Sequence, residues 1–319
     1  MINNFKNDGM EFVEMPFYPH KKKLTDIFNA SKIIYSTVSK LKVDIIHTHH
    51  RLPEFLAVQL SRFLKVPTVT TCHAIIQGKV SLSFLSKKII GVSDAVKENL
   101  VNNFNFSPDR VEVISNIPRE FGLPSKDDLS EFRDAHGIND ENFIVAGIGR
   151  LHFEKGFDLF LKALNSEHGM KLTAILVGKG EEEQQLKKLV GENSANVIFI
   201  SETENLDIIY SIADAIVVPS RMESYGLVPV EASFFEKAVI AANVGGLSQH
   251  ITDGITGILV SPENPDEIIK AIKHLYFNPA LKTQLGSNLK SSISKKYNSK
   301  KLLGQVVGVY TKALEEYAV

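Results

Sequence analysis

The feature that most restricts the fold of this chain is a repeated change of hydrophobic period. Short β-branched runs end in polar or glycine-bearing loops, and stretches with helical spacing follow, first over residues 43–114 and again over 143–317. Strands joined through intervening helices cannot be hairpin neighbours, so the alternation predicts mostly parallel sheets covered by helices on both faces. In the first half Val43–His47, Val66–Thr71, Lys88–Val92 and Val111–Ile114 read as strands, with helices over Glu54–Leu64 and Ser93–Asn102. Residues 115–141 break the pattern with two prolines and a short helical piece near Leu129–His136, which places a domain boundary there. A second series follows: strands at Phe143–Ile148, Lys171–Val177, Val197–Ile200, Ala215–Pro219 and Ala238–Ala241, and helices at Phe157–Asn165, Glu181–Val190, Asp266–Tyr276 and Leu302–Tyr317. The 319 residues suit two domains. We expect an N-terminal Rossmann-like domain over 1–121, joined by a returning helix within 296–319, and a C-terminal one over 122–295. The cleft between them is the default site.

Composition excludes several classes. At 44% apolar and 23% charged residues the chain is neither disordered nor fibrous. The single cysteine, Cys72, rules out a disulfide framework and a cysteine-based zinc site, and fits a reducing compartment. No apolar stretch reaches the length of a spanning helix, and the opening residues lack the apolar core of a signal peptide, so a cytoplasmic location is expected. Charge is uneven: residues 1–120 hold 16 Lys/Arg against 11 Asp/Glu, whereas 121–319 hold 20 against 26. A basic first half suits an anionic substrate or peripheral contact with the inner face of a membrane, although chance asymmetry of two solvated surfaces gives the same count. Neither half is basic enough to indicate nucleic acid.

Three segments carry chemistry. In "GIGRLHFEKG", residues 147–156, Arg150 and Lys155 straddle a loop between a strand and a helix. Two cations beside a helix N-terminus suit a diphosphate, and a turn with two surface cations has the same pattern. In "VGKGE", Gly178 and Gly180 follow another strand without the full dinucleotide spacing, and a tight turn accounts for them equally well. The third, "PSRMESYGLVPVEA", runs from a strand end through Gly226 into a helix; Glu223 lies in its loop and Glu231 eight residues on, amid apolar neighbours. A carboxylate in such surroundings needs partners, and ribose hydroxyls would serve; a helix-cap acid with a solvated acid has the same pattern. His47, His49, His50 and His73 cluster at strand ends, but no HExxH occurs and nearby carboxylates lack metal-ligand spacing, so no metal site is expected; His47 also fits a hydrogen-bonded core position. There is no Asp-x-Asp and no G-x-S-x-G elbow.

Taken together, "VDIIHTHH", "TVTTCHA", "GVSDAVKENL", "GIGRLHFEKGFDLFLKAL", "LVGKGEEEQQL", "IADAIVVPSRMESYGLVPVEA" and "VGGLSQHITDGITGILV" resemble, in order and spacing, the retaining glycosyltransferases of the GT-B fold in the family numbered four. The resemblance spans nearly the whole chain and is most specific over residues 147–260. It implies an α/β, GT-B architecture of two Rossmann-like domains facing a central cleft. It also implies sugar transfer from a UDP- or GDP-linked nucleotide sugar to a glycan or lipid-linked acceptor, in cell-surface polysaccharide or glycolipid biosynthesis. By resemblance, Gly149, Arg150 and Lys155 hold the donor diphosphate, and Glu223 contacts the transferred sugar. The amides of Ser224, Tyr225, Gly226 and Leu227 lie near sugar and phosphate, and Glu231 binds the ribose. The Gly178–Gly180 turn lies near the base, His73 near the donor sugar and acceptor, and Ser93 in the cleft floor. No cofactor or metal ion is implied.

The chain departs from the family at three places. The usual opening strand, Gly-rich loop and helix are not apparent, so the N-terminal domain is expected to be incomplete. Met10–Phe17 would then supply an outer strand, and Val43–His47 and Val66–Thr71 would each lose a neighbour. Asn116-Ile117-Pro118-Arg119 and Gln249 also replace the family's usual residues. These departures keep open two other readings: a non-catalytic or partner-dependent GT-B protein, with a protein partner supplying the N-terminal elements, and a fragment that binds donor only.

Overall fold

The computed structural model describes residues 11–15, 24–78, 83–166, 169–190, 196–201 and 205–318, and two parallel sheets organise them. The first sheet runs β1 (Ile46–Thr48), β2 (Thr68–Cys72), β3 (Lys88–Gly91), β4 (Val111–Val113) in that spatial order. Around it lie α1 (Leu24–Leu41), α2 (Arg51–Leu64) and α3 (Asp94–Glu98). Strand alternation sends successive side chains to opposite faces, and both faces are apolar. Ile89 packs with Val96 and Leu100, whereas Ile90 packs with Leu302, Val309 and Ala313 of the last helix. Ser93 starts α3 because its hydroxyl accepts the Val96 N–H at 3.2 Å, a cap that supplies one otherwise unpaired donor. Glu54 in α2 is fully buried and satisfied: its carboxylate accepts from Phe84 N at 2.5 Å and from Ser86 N and Oγ, each at 3.0 Å. It thereby ties the chain entering β3 to the helix.

The second sheet holds β5 (Phe143–Ile148), β6 (Leu172–Val177), β7 (Asn196–Ile200), β8 (Ala215–Val218), β9 (Ala238–Ala242) and β10 (Ile258–Val260), in the order β10-β9-β8-β5-β6-β7. Its inner strands read as nearly continuous apolar runs because helices cover both faces. Ile144, Ile175, Ile216 and Val239 enter one core, and their neighbours Val145, Leu176, Val217 and Ile240 enter the other. The helices are α4 (Lys126–Ala135), α5 (Phe157–Asn165), α6 (Glu183–Leu189), α7 (Leu206–Ile212), α8 (Leu227–Phe234), α9 (Leu247–His250), α10 (Pro265–Phe277), α11 (Pro279–Lys296) and α12 (Ser299–Ala318). Ser125 and Asp128 form a reciprocal capping box that opens α4.

The chain crosses between the sheets twice. Residues 114–125, without regular structure, lead from β4 to α4. At the far end α11 packs on β9 of the second sheet, while α12 lies on β2 of the first. Two expectations need correction. Of Met10–Phe17, residues 11–15 carry no strand, and Met10, Pro16 and Phe17 lie outside the described residues. The strand expected at Val66–Thr71 has not lost a neighbour: as β2 it pairs with β1 on one side and β3 on the other. Among the described residues β1 and β4 are the outer strands of this sheet. No helix there is long and apolar enough to cross a membrane.

Candidate functional site

The strand order of the second sheet reverses between β5 and β8: one series runs outward through β6 and β7, the other through β9 and β10. Loops leaving two such strands diverge, which opens a crevice at their carboxyl ends. A cavity of about 350 Å³ lies there. Its second-domain wall includes Gly149, Arg150, Glu154 and Lys155 after β5 and Met222 through Val228 after β8, and the first domain contributes His73, Ala74, Ile75 and Asn116.

The loop after β5 is held from beneath by glycine. Gly178, leaving β6 at φ 149°, packs so closely that a Cβ there would sit 1.8 Å from Gly149 O. Gly180 is placed in the same way against Leu151 O, at 2.0 Å. Neither glycine lines the cavity; both let the Arg150 loop settle on the β6 exit. The loops after β5 and β8 are then joined through backbone, with Arg221 N and Met222 N donating to Glu154 O at 2.8 and 3.3 Å. Across this seam Lys155 Nζ lies 2.6 Å from Glu223 Oε2, a close pair in which both side chains are largely shielded. Arg150 is exposed at the rim.

The loop after β8 ends at Gly226, whose φ of 82° is cheap only for glycine. That turn starts α8, and Gly226, Leu227 and Val228 line the cavity, so unpaired amides of the first helical turn lie at its wall. Glu231 lies one turn deeper on α8 and is not among the lining residues. Its carboxylate accepts from Tyr210 OH of α7 at 2.6 Å, and burial raises its pKa against the opposing pull of Tyr210 and Arg119. The structure therefore gathers His73, Gly149, Arg150, Lys155, Glu223, Ser224, Tyr225, Gly226 and Leu227 around one cavity, and leaves Gly178, Gly180 and Glu231 behind its wall.

Contacts between the domains run through the same loop. Ser224 Oγ accepts from Ile75 N at 2.8 Å, and Ser93 Oγ donates to Ser224 O at 2.5 Å. Tyr225 OH donates to Asn116 O at 3.3 Å. Outside that loop, the Gln249 amide of α9 lies beside the α3 amides, and with its oxygen turned toward them it accepts from Asp94 N and Ala95 N at 2.9 and 3.3 Å. Sequence reading placed Ser93 and Ser224 near the cleft but not in contact, and it missed Tyr210, Glu154 and Met222. Tyr210 could have been found only as a polar-tipped residue inside an apolar helix. Among the described residues no three His, Cys, Asp or Glu side chains form a group that could hold a metal ion.

Comparison with known proteins agrees with this architecture. Residues 128–292 match the family described as Glycosyl transferases group 1, and residues 5–117 match Glycosyltransferase Family 4. The chain belongs to the group 1 glycosyl transferases, and its two Rossmann-like domains form a GT-B fold, as the motifs led us to expect. It is 28% identical over 300 residues to an uncharacterized glycosyltransferase of Methanocaldococcus jannaschii, covering 86% of this chain and 76% of that one. It is also 28% identical over 309 residues to a D-inositol 3-phosphate glycosyltransferase of Acidothermus cellulolyticus, covering 86% and 68%. Among solved structures, a Rickettsia africae glycosyltransferase aligns with a TM-score of 0.83 at 20% identity, over 98% of this chain and 87% of that one. Anabaena HepE in complex with UDP aligns at 0.77 and 22%, over 89% and 82%.

Proposed function

We propose that the chain is a retaining hexosyltransferase that moves a sugar from a nucleotide-sugar donor to a hydroxyl of a glycan or lipid-linked acceptor. The observation that carries this reading is the cavity at the β5/β8 reversal, where Arg150, Lys155 and the first amides of α8 meet His73 of the other domain. Two cations and a helix N-terminus offset the charge that develops on a departing diphosphate. In the reaction the bond from the anomeric carbon to the diphosphate oxygen breaks, and a bond to the acceptor oxygen forms. The acceptor proton passes to the leaving phosphate on the same face, so no protein nucleophile is required. Glu223, held by Lys155, would orient sugar hydroxyls. The ribose would reach Glu231 by displacing the Tyr210 hydroxyl, and the base would rest near the Gly178–Gly180 turn.

Calorimetric titration with UDP and GDP tests the reading. HepE is crystallised with UDP, so UDP is the first probe. Binding of one of the two, unchanged by a chelator, is the expected result, because the fixed cations carry the diphosphate charge. A chain that binds neither nucleotide sinks the assignment.

The acceptor reading extends to a surface. The outer side of α1 exposes Phe28 and Tyr35, with Lys32 Nζ 4.6 Å from the Phe28 ring centroid, on the more basic half of the chain. Aromatic and lysine side chains on one helix face suit an anionic lipid surface. Co-sedimentation with phosphatidylglycerol vesicles, and not with phosphatidylcholine vesicles, is expected; equal behaviour with both would remove the membrane from the proposal.

A further inference from the structure

Three imidazoles outside the diphosphate side of the cavity stand in a row. The parallel register of β1 and β2 sets His47 beside Val69 and Thr48 beside Thr70, so the two strands run out together. His49 follows one strand end and His73 the other. His49 Nδ1 lies 3.0 Å from His73 Nε2, with ring centroids 5.2 Å apart and planes inclined by 26°. On its other side His49 stacks on His47, at 4.5 Å between centroids. His47 is itself pinned at both nitrogens: Tyr310 OH of α12 is 2.7 Å from Nδ1, and Thr71 Oγ1 is 2.8 Å from Nε2. Fixity thus passes outward from two hydroxyls to His47, then to His49, then to His73 at the cavity wall.

We propose that His49 is the positioning residue of the cleft histidine: it sets the ring plane and the tautomer that His73 presents to the donor sugar or acceptor. The proposal rests on the sugar-transfer reading of this cavity. A neutral imidazole carries one N–H, and only one proton fits between His49 Nδ1 and His73 Nε2. If His49 donates, its own proton is on Nδ1 and that of His73 must be on Nδ1. If His73 donates, both rings carry their protons on Nε2. The two rings are therefore locked into the same tautomer, and the free Nδ1 of His73 has one defined role, donor or acceptor, toward a hydroxyl in the cavity. Partial removal from water, with the neighbouring imidazoles, lowers the pKa of all three rings, that of His47 to about 4, so the row is neutral at neutral pH. Without the contact, His73 is an exposed side chain on a strand end, free to rotate and to exchange tautomers.

The test is long-range proton–nitrogen NMR of the whole chain labelled with ¹⁵N-histidine, which needs no substrate. The natural protein should show His49 and His73 each in a single tautomer, and the same one. His49→Leu should convert the His73 ring nitrogens to the averaged shifts of a free imidazole while UDP affinity and the melting temperature stay unchanged. His49→Asn, whose amide sits near the Nδ1 position, should restore the single tautomer; His49→Gln, which reaches toward the Nε2 position, should not. Averaged His73 shifts in the natural protein, a single His73 tautomer persisting in His49→Leu, or equal rescue by Asn and Gln would each overturn the proposal. So would a loss of UDP affinity greater than about tenfold in His49→Leu, which would mark the lesion as one of folding. Failure of UDP to bind the natural chain would count against the sugar-transfer reading alone, because the tautomer measurement does not involve nucleotide.

Discussion

A Lys155→Ala protein should bind UDP roughly ten- to a hundredfold more weakly than the natural chain. A charge-assisted hydrogen bond contributes about 1.5–3 kcal/mol, and about 1.4 kcal/mol is tenfold in affinity. The substitution has a second effect. Lys155 Nζ is 2.6 Å from Glu223 Oε2, so its removal leaves a largely shielded carboxylate facing the diphosphate, with Ser220 Oγ at 3.4 Å. Repulsion then adds to the lost attraction. Pairing Lys155→Ala with Glu223→Gln should therefore recover part of the affinity, a coupling that isothermal calorimetry on the four proteins would resolve. Unchanged affinity in Lys155→Ala would take this lysine out of the diphosphate site.

Gly178→Ala should be the most destabilising single-methyl change near the cavity. The added Cβ would lie 1.8 Å from Gly149 O, and both groups are backbone, so no side-chain rotation relieves the clash. The loops after β5 and β6 must separate, which breaks the 2.9 Å bonds from Gly149 N to Val177 O and from Leu151 N to Lys179 O. Losses of this kind reach about 4 kcal/mol or more, and for a domain of this size that lowers the melting temperature by about 8–16 °C. Gly254→Ala is the control: its φ of 69° is also positive, yet nothing lies within 4 Å of the new atom. It should cost only about 1–2 kcal/mol of backbone strain. Circular-dichroism melts that place the two variants within a degree or two of each other would refute the close-packing account.

The strand–helix alternation was legible because the second sheet is buried on both faces, which turns its inner strands into apolar runs such as Phe143–Ile148 and Ala238–Ala242. Two long helices escaped notice for opposite reasons. On α1 the exposed Leu24, Phe28 and Tyr35 blur the inward stripe, whose fully covered members are Ala30 and Val38. On α11 the buried set is Leu285, Gly286, Leu289 and Ile293 among lysines and serines, too sparse to stand out. The glycine loops and Glu223 could be found because turn chemistry and a loop carboxylate are local signals. The Ser224 contacts to Ile75 and Ser93, and the burial of Glu231 against Tyr210, join residues far apart in the chain, and no local spacing encodes them.

The double passage of the chain between the sheets has a mechanical meaning. A body joined to another by one segment can swivel about it, whereas a second joining segment restrains that swivel. Residues 114–125 form one tie and the α11–α12 junction at Tyr297 and Asn298 the other. Relative movement of the two domains must therefore be taken up at both segments at once, which restricts it more than a single linker would. The bonds of Ser224 to Ile75 and Ser93 span the domains at the cavity, so parting its two walls means breaking them.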